Sequence, residues 1–342
     1  MTERRKLTLK DIAKELGISV SSVSRALRSH PDIAEETIRR VKEYAERHQY
    51  VPNILAVNFR KNRSNNIGLI VPELVHHFFS SAISGAINEA KKTGYNVLVS
   101  QSNDILVDEI SACKTMMGSS VDGLLISVSN ETVEGEHLKE FLIEGKPVVQ
   151  FDKITDRVEC PKVIVDDRDG AYHAVNHLIE MGYKRIAHIR GRLDVKNSIE
   201  RFEGYKKALL DNQLAFDPSL VKNCFHITEQ EGYDFAKELM NGENPPDAFF
   251  CITDIVALGV FKYLKSSGIK IPEEVGIVGF SNWKLAEVVS PGISSVDQHG
   301  YEMGAKATRM LIDLIENHKI GTNDTFEIKT KLVIRESSLL PK

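Results

Sequence analysis

The chain has 342 residues, 42% of them hydrophobic and 27% charged, a composition of soluble globular proteins and a length that allows two or three domains with sizeable cores. Its net charge of −4 is unevenly spread: residues 1–63 hold 14 Lys+Arg against 8 Asp+Glu, and the remainder holds 30 against 40. A basic head suits a polyanionic partner that the acidic body would repel. No stretch approaches the roughly 18 apolar residues of a membrane span. The start, MTERRKLTLKD, lacks the apolar core of a signal peptide. Cys113, Cys160, Cys224 and Cys251 lie far apart without CxxC or Cys/His metal spacing. A cytoplasmic protein with reduced, buried thiols is expected, with no disulfide framework and no membrane partner.

Lys6 to Leu27 reads KLTLKDIAKELGISVSSVSRAL, two short helices about a Gly-Ile-Ser turn. Thr8 with Asp11 forms a capping-box-like start, and Ile12, Ala13 and Leu16 make one apolar face. Gly17 ends the helix, where a residue without Cβ costs least. Ser19 caps a second helix whose Val20, Val23 and Leu27 point one way, while Ser21, Ser22, Ser24 and Arg25 can point outward. Small hydroxyls at a helix N-terminus permit close approach to a DNA backbone, and Arg25, one turn in, can reach a base edge and grip guanine with two hydrogen bonds. A third helix is expected from about Ala34 to Gln49, with Ile38, Val41, Ala45 and His48 on one stripe. The competing reading is a structural helical hairpin with a solvated basic face. Tyr50-Val51-Pro52-Asn53 follows, and Ile54 to Arg60 makes at most two helical turns, too short to be stable alone. That segment should order only against a partner: its twin in a second subunit, DNA, or both.

From residue 66 onward, short β-branched runs alternate with helical patterns. Ile67–Pro72, Asn96–Ser100, Gly123–Ser127 and Val148–Phe151 read as buried strands, with amphipathic segments at about 79–93, 106–117 and 136–143. A second series has strands at Arg185–Ile189, Ala248–Cys251 and Val275–Phe280, and helices near 169–181, 198–212, 228–240 and 255–266. The fold class is therefore α/β, with parallel sheets flanked by helices in two lobes of similar design. No GxGxxG, GxxxxGK[ST] or HExxH occurs, and no Ser/His/Asp set stands out. His76-His77 read as solvent or pocket-wall residues rather than metal ligands. Neither a cofactor nor enzymatic chemistry is expected.

The chain resembles the lactose/galactose repressor (LacI/GalR) family from end to end. The matching residues are LxDIAxxxGxSxxxVSRAL in the head, YxPNxxA from Tyr50 to Ala56, and IGLIVPE from Ile67. LISV after Val121-Asp122-Gly123, VDD at 165–167 and IRESS at 334–338 also match. The resemblance implies a three-helix DNA-binding domain at 1–51, a hinge helix and linker at 52–65, and an effector-binding and dimerisation domain at 66–342. The body would have the two lobes of a periplasmic-binding-protein-like fold: lobe 1 at about 66–165 and 295–322, lobe 2 at about 166–292 and 325–342. Three crossings are expected near Val163–Asp167, Ser290–His299 and Thr322–Phe326. Base-reading contacts fall on Val20, Ser21 and Arg25, with Thr8, Ser19, Ser22, Ser24, Asn53, Ala56 and Arg60 completing the DNA-binding set. Phe59 takes the place of the leucine that such hinge helices wedge between base pairs in the minor groove.

For the cleft, the resemblance places Phe78 and Phe79 against the ligand, with Asp152, Lys153, Asn197, Arg201, Asp254, Ser281 and Trp283 around it. The arginine of the family's RxxG pattern is Arg201 here, a cationic fork for hydroxyls or a carboxylate. Ser281 stands where the family commonly carries aspartate. For Asp254 the reading as a helix cap competes with that of a ligand contact. A homodimeric repressor of pseudo-palindromic operator DNA is the expectation, switched by a small molecule, most simply a sugar; no heptads follow, so no tetramerising tail is expected. The direction of the switch is open. The alternatives are a small-molecule-binding protein that binds no operator, a regulator controlled by a protein effector, and an enzyme fused to a DNA-binding head.

Overall fold

The computed structural model of the protein describes residues 7–50, 63–317 and 323–340. The chain divides into two compact units, Met1–Ser64 and Asn65–Lys342. In the first, α1 (Leu9–Leu16), α2 (Val20–Leu27) and α3 (Glu35–Arg47) pack around Ile12, Ala13, Val23, Ala26, Val41 and Ala45. Thr8 and Asp11 form a reciprocal capping box at the start of α1, each satisfying backbone N–H groups that the helix leaves free. Gly17 closes α1 in the left-handed conformation (φ 67°), and Ser19 accepts from the Ser22 N–H to open α2. Such a cap is worth about 1 kcal/mol, a meaningful share of the stability of so small a unit.

The second unit contains two six-stranded sheets. The first is built from β1 (Asn66–Val71), β2 (Asn96–Gln101), β3 (Leu124–Ile126), β4 (Val148–Phe151), β5 (Lys162–Val165) and β11 (Thr325–Ile328), in the order β11-β5-β4-β3-β1-β2. All its pairings are parallel. The second sheet contains β6 (Ile186–Arg190), β7 (Val221–Asn223), β8 (Ala248–Cys251), β9 (Gly276–Phe280), β10 (Ser294–Asp297) and β12 (Lys331–Val333), in the order β12-β10-β9-β8-β6-β7. Only β12 runs antiparallel. Central strands such as β4, β6, β8 and β9 are buried along their whole length, as strands covered by helices on both faces must be. Each sheet reverses its strand order once, at β1/β3 and at β6/β8. Ligand crevices form at such points, outside the carboxyl ends of the strands.

The helices that cover the first sheet are α4 (His77–Lys92), α5 (Leu106–Gly118), α6 (Glu136–Ile143) and α12 (Gly300–Asn317). Those of the second lobe are α7 (Asp167–Glu180), α8 (Lys196–Asp211), α9 (Glu229–Met240), α10 (Asp254–Ser266) and the short α11 (Lys284–Val288). Helices α4 and α12 approach until backbone meets backbone: a Cβ on Gly304 would lie 1.9 Å from the Ala82 carbonyl oxygen, and one on Gly85 2.0 Å from that of Tyr301. The chain crosses between lobes after β5, after β10 and after β11.

The return path differs from the expectation. Strand β10 belongs to the second sheet, so lobe 1 resumes only at about residue 298. Strand β11 pairs with β5 in the first sheet. The last crossing is therefore at Lys329–Thr330 rather than Thr322–Phe326, and lobe 2 resumes there rather than at 325. Asp166 pins it, accepting from the Thr330 N–H at 2.7 Å and facing Lys329. The expected IRESS segment staples the end of the chain beneath the second sheet: Ser337 donates to the Ile277 carbonyl, and Ser338 joins His177 and Ser294.

Candidate nucleic-acid interface and ligand cleft

In the head, Ser19, Ser21 and Arg25 are exposed, Val20, Ser22 and Ser24 half-buried, and Val23 and Ala26 buried. Ser21 and Arg25 are four residues apart and share one face of α2. The Ser24 hydroxyl and carbonyl hold the Arg28 guanidinium, so Ser24 is committed within the helix. The Ser19 hydroxyl is shared with Ser21 and Ser22. Val20 packs with one edge against the core. The Thr8 hydroxyl is committed to its capping box. Asn53, Ala56, Phe59 and Arg60 lie outside the described residues.

In the body, a cavity of about 620 Å³ opens between the lobes, lined almost wholly by residues that follow strand ends in both sheets. Pro72, Gln101, Asn130 and Asp152 come from the first sheet, Gly191, Phe225, Thr253 and Ser281 from the second. Seven of the nine expected cleft residues line it: Phe78, Phe79, Asp152, Lys153, Asn197, Arg201 and Ser281. Asp254 and Trp283 do not. Asp254 is the first residue of α10 and points into the protein, accepting from the Ser295 hydroxyl and the Trp283 backbone N–H. Burial pushes its pKa up to about 7. Trp283 caps α11 and stacks on His76, ring centroids 6.4 Å apart, so it touches the cleft only through that imidazole.

The charged groups are held in place. Arg201, buried in the cavity wall, donates to Asp167 at 2.7 Å and to the Ile252 carbonyl at 2.7 Å, and its guanidinium lies 3.7 Å over the Phe280 ring. Lys153 binds both oxygens of Asp104, at 2.9 and 3.0 Å. Arg192 forms a two-bond fork with Asp194. Asp152, at left-handed φ 58°, has its pKa pushed up to about 6 by burial, against the pull of neighbouring Lys153. Burial and the same lysine drive the His76 pKa down to about 4, leaving a neutral ring at pH 7. Asn103, Asp104 and Ser281 also hold positive φ, which Asn and Asp adopt readily and serine seldom does.

Sequence reasoning missed Asp104, Asn130, Ser198, Phe225, Thr253 and Gln298, all on the cavity wall. It singled out VDD but not the role of Asp167, which orients Arg201. His76, the N-cap of α4, lies on the cavity wall as the pocket-wall reading expected, and His77 is the first residue of that helix.

A helix-turn-helix unit and a two-lobed α/β body with an interlobe cleft define a ligand-responsive DNA-binding regulator. Comparison with known proteins agrees. Residues 8–53 match "Bacterial regulatory proteins, lacI family", and residues 175–338 match "Periplasmic binding protein-like domain". The HTH-type transcriptional repressor CytR of Escherichia coli (strain K12) is 30% identical over 97% of this chain and 96% of its own. The chain belongs to the lacI family, and it is a transcriptional regulator with a DNA-binding head and an effector-binding body. Among solved structures, the transcriptional regulator CelR–cellobiose complex is 26% identical with a TM-score of 0.72, covering 97% of this chain and 100% of that one. The lac repressor dimer bound to operator and the anti-inducer ONPF shares the fold, with a TM-score of 0.87 at 21% identity over 98% and 100% of the two chains.

Proposed function

We propose that the protein is a cytoplasmic, homodimeric repressor that reads a pseudo-palindromic operator and releases or grips it according to a sugar held between the lobes. Val20, Ser21 and Arg25 read bases, while Ser19, Ser22 and the backbone N–H groups at the start of α2 set the docking distance. The observation that carries the ligand assignment is that four residues of the cavity wall each hold a buried polar atom without a protein partner: His76 Nδ1, Asn130 Oδ1, Ser198 Oγ and Thr253 Oγ1. Buried polar atoms are ordinarily paired. Four left open around one cavity, together with the Phe78 and Phe79 rings, suit a ligand with several hydroxyls and a ring face, as in a sugar. The CelR–cellobiose relative supports this reading.

The test is selection from random-sequence duplexes, followed by anisotropy titration of the enriched site with and without sugars. A two-fold-symmetric site with a steep salt dependence is expected, and at least one sugar should change its affinity by tenfold or more. No enrichment would overturn the DNA-binding reading. Enrichment of a site indifferent to every sugar would overturn the sugar alone.

A further inference from the structure

Resting on the sugar reading, we infer that the cleft takes an uncharged saccharide of more than one ring, and that it rejects phosphorylated and acidic sugars. Two independent observations carry this, one of charge and one of size.

The cations on the cavity wall are already neutralised. Lys153 is paired with Asp104, Arg192 with Asp194, and Arg201 with Asp167 and a backbone carbonyl. Glu73, Glu131 and Asp152 add further carboxylates to the same wall. A phosphate or carboxylate entering here would meet no unpaired lysine or arginine among the described wall residues. It would have to displace a carboxylate already in place or lie beside one. Burying an anion that way costs far more than burying a hydroxyl that finds one of the open partners. Neutral His76 adds no charge to offset it.

The cavity also has room for more than one ring. Liquid water takes about 30 Å³ per molecule, so 620 Å³ corresponds to roughly twenty waters, whereas one pyranose has about the volume of six. The inner aromatic wall is Phe78 and Phe79, both buried. A second aromatic, Phe225, lines the same cavity from the other sheet and is 64% exposed. The Arg192 guanidinium lies 5.5 Å from the Phe225 ring centroid and the His226 ring meets it edge-on, so Phe225 is held as a plate. A large, held, exposed aromatic at the end of β7 supplies an outer platform for a second sugar ring.

Quenching of Trp283, the single tryptophan, reports binding through its stack on His76 in the full-length protein, and calorimetry checks each result. The probes are glucose, cellobiose, maltose, glucose 6-phosphate, glucuronate and adenosine. A neutral disaccharide should bind at least tenfold tighter than glucose, and glucose 6-phosphate and glucuronate more weakly than glucose. Phe225→Ala should cost the disaccharide about tenfold and leave glucose unchanged; because Phe225 is largely exposed, the variant is expected to fold. Binding of glucose 6-phosphate or glucuronate as tight as that of a neutral sugar would overturn the charge argument while leaving the sugar reading intact. Equal affinity for glucose and disaccharide, or an indifferent Phe225→Ala, would overturn the two-ring site. Adenosine binding without any sugar, or no binding at all, would overturn the sugar reading and this inference together.

Discussion

Arg25 is exposed on α2, four residues beyond Ser21 on the same face. A guanidinium so placed can grip guanine through two parallel hydrogen bonds, the role proposed for it. Arg25→Ala is expected to cost about 1–3 kcal/mol on the selected operator and little on unrelated duplex; equal losses on both would make it a phosphate contact. Asp152 yields a pH prediction. Burial raises its folded-state pKa from the ordinary 3.8 to about 6, so the folded protein holds that proton more tightly than the unfolded chain. Stability contributed by the protonated form is present below pH 4 and lost as pH rises through 6. Asp152→Asn keeps the left-handed backbone, which asparagine tolerates. In chemical denaturation, wild type and variant should match near pH 4, and wild type should be the less stable by on the order of 2 kcal/mol at pH 7.5; a constant difference would contradict the assignment. At this scale the sequence was legible where a residue answers to its neighbours along the chain, as in the Thr8–Asp11 box and the Ser19 cap. It was opaque where partners lie far apart, as for Asp167 with Arg201 or Lys153 with Asp104, 34 and 49 residues away. Asp254 shows the ambiguity from the other side: an aspartate after a strand reads equally as a cap or a ligand contact, and only the depth of its burial separates the two.

Among the elements, α4 and α12 meet through glycine. Gly304→Ala would drive a methyl group onto the Ala82 carbonyl, and since backbone cannot yield as a side-chain tip does, a loss of about 2–3 kcal/mol is expected in urea unfolding. Gly118→Ala, at the end of α5 with open space around it, should be neutral or stabilising by up to about 1 kcal/mol. Equal effects of the two would remove the close-packing account. The strands and helices of both series were readable because their apolar periodicity is strong. Helix α12 was not, although Met303, Ala307, Leu311 and Ile315 recur on its buried face: its first half packs by small residues and presents little apolar bulk. Strands β5, β10, β11 and β12 are about the length of β3, β4 and β8, but each carries a charged residue (KVIV, SSVD, TFEI and KLV), so none presents the unbroken apolar run or regular alternation that marks a strand. Strand β11 buries only Ile328, which is why the last crossing was placed too early.

The two lobes of the body repeat one strand order and face each other through their strand ends, so one ligand can touch both. Besides the crossings, Lys196 at the start of α8 reaches Asp156, between β4 and β5, at 2.8 Å across the cleft. This exposed pair is worth at most about 1 kcal/mol to global stability. Its leverage is on closure, so Lys196→Ala is expected to leave unfolding nearly unchanged while speeding sugar release several-fold at low salt, a difference that high salt should erase. Release rates identical in both proteins would show that the pair does not latch the cleft. If sugar and operator favour different arrangements of the same body, each must alter the other's affinity by the same factor. The direct measurement is a pair of titrations on the full-length protein, operator affinity with and without saturating sugar, and sugar affinity with and without saturating operator. The two factors should agree and differ clearly from one; factors of one in both titrations, with both ligands bound, would contradict the account.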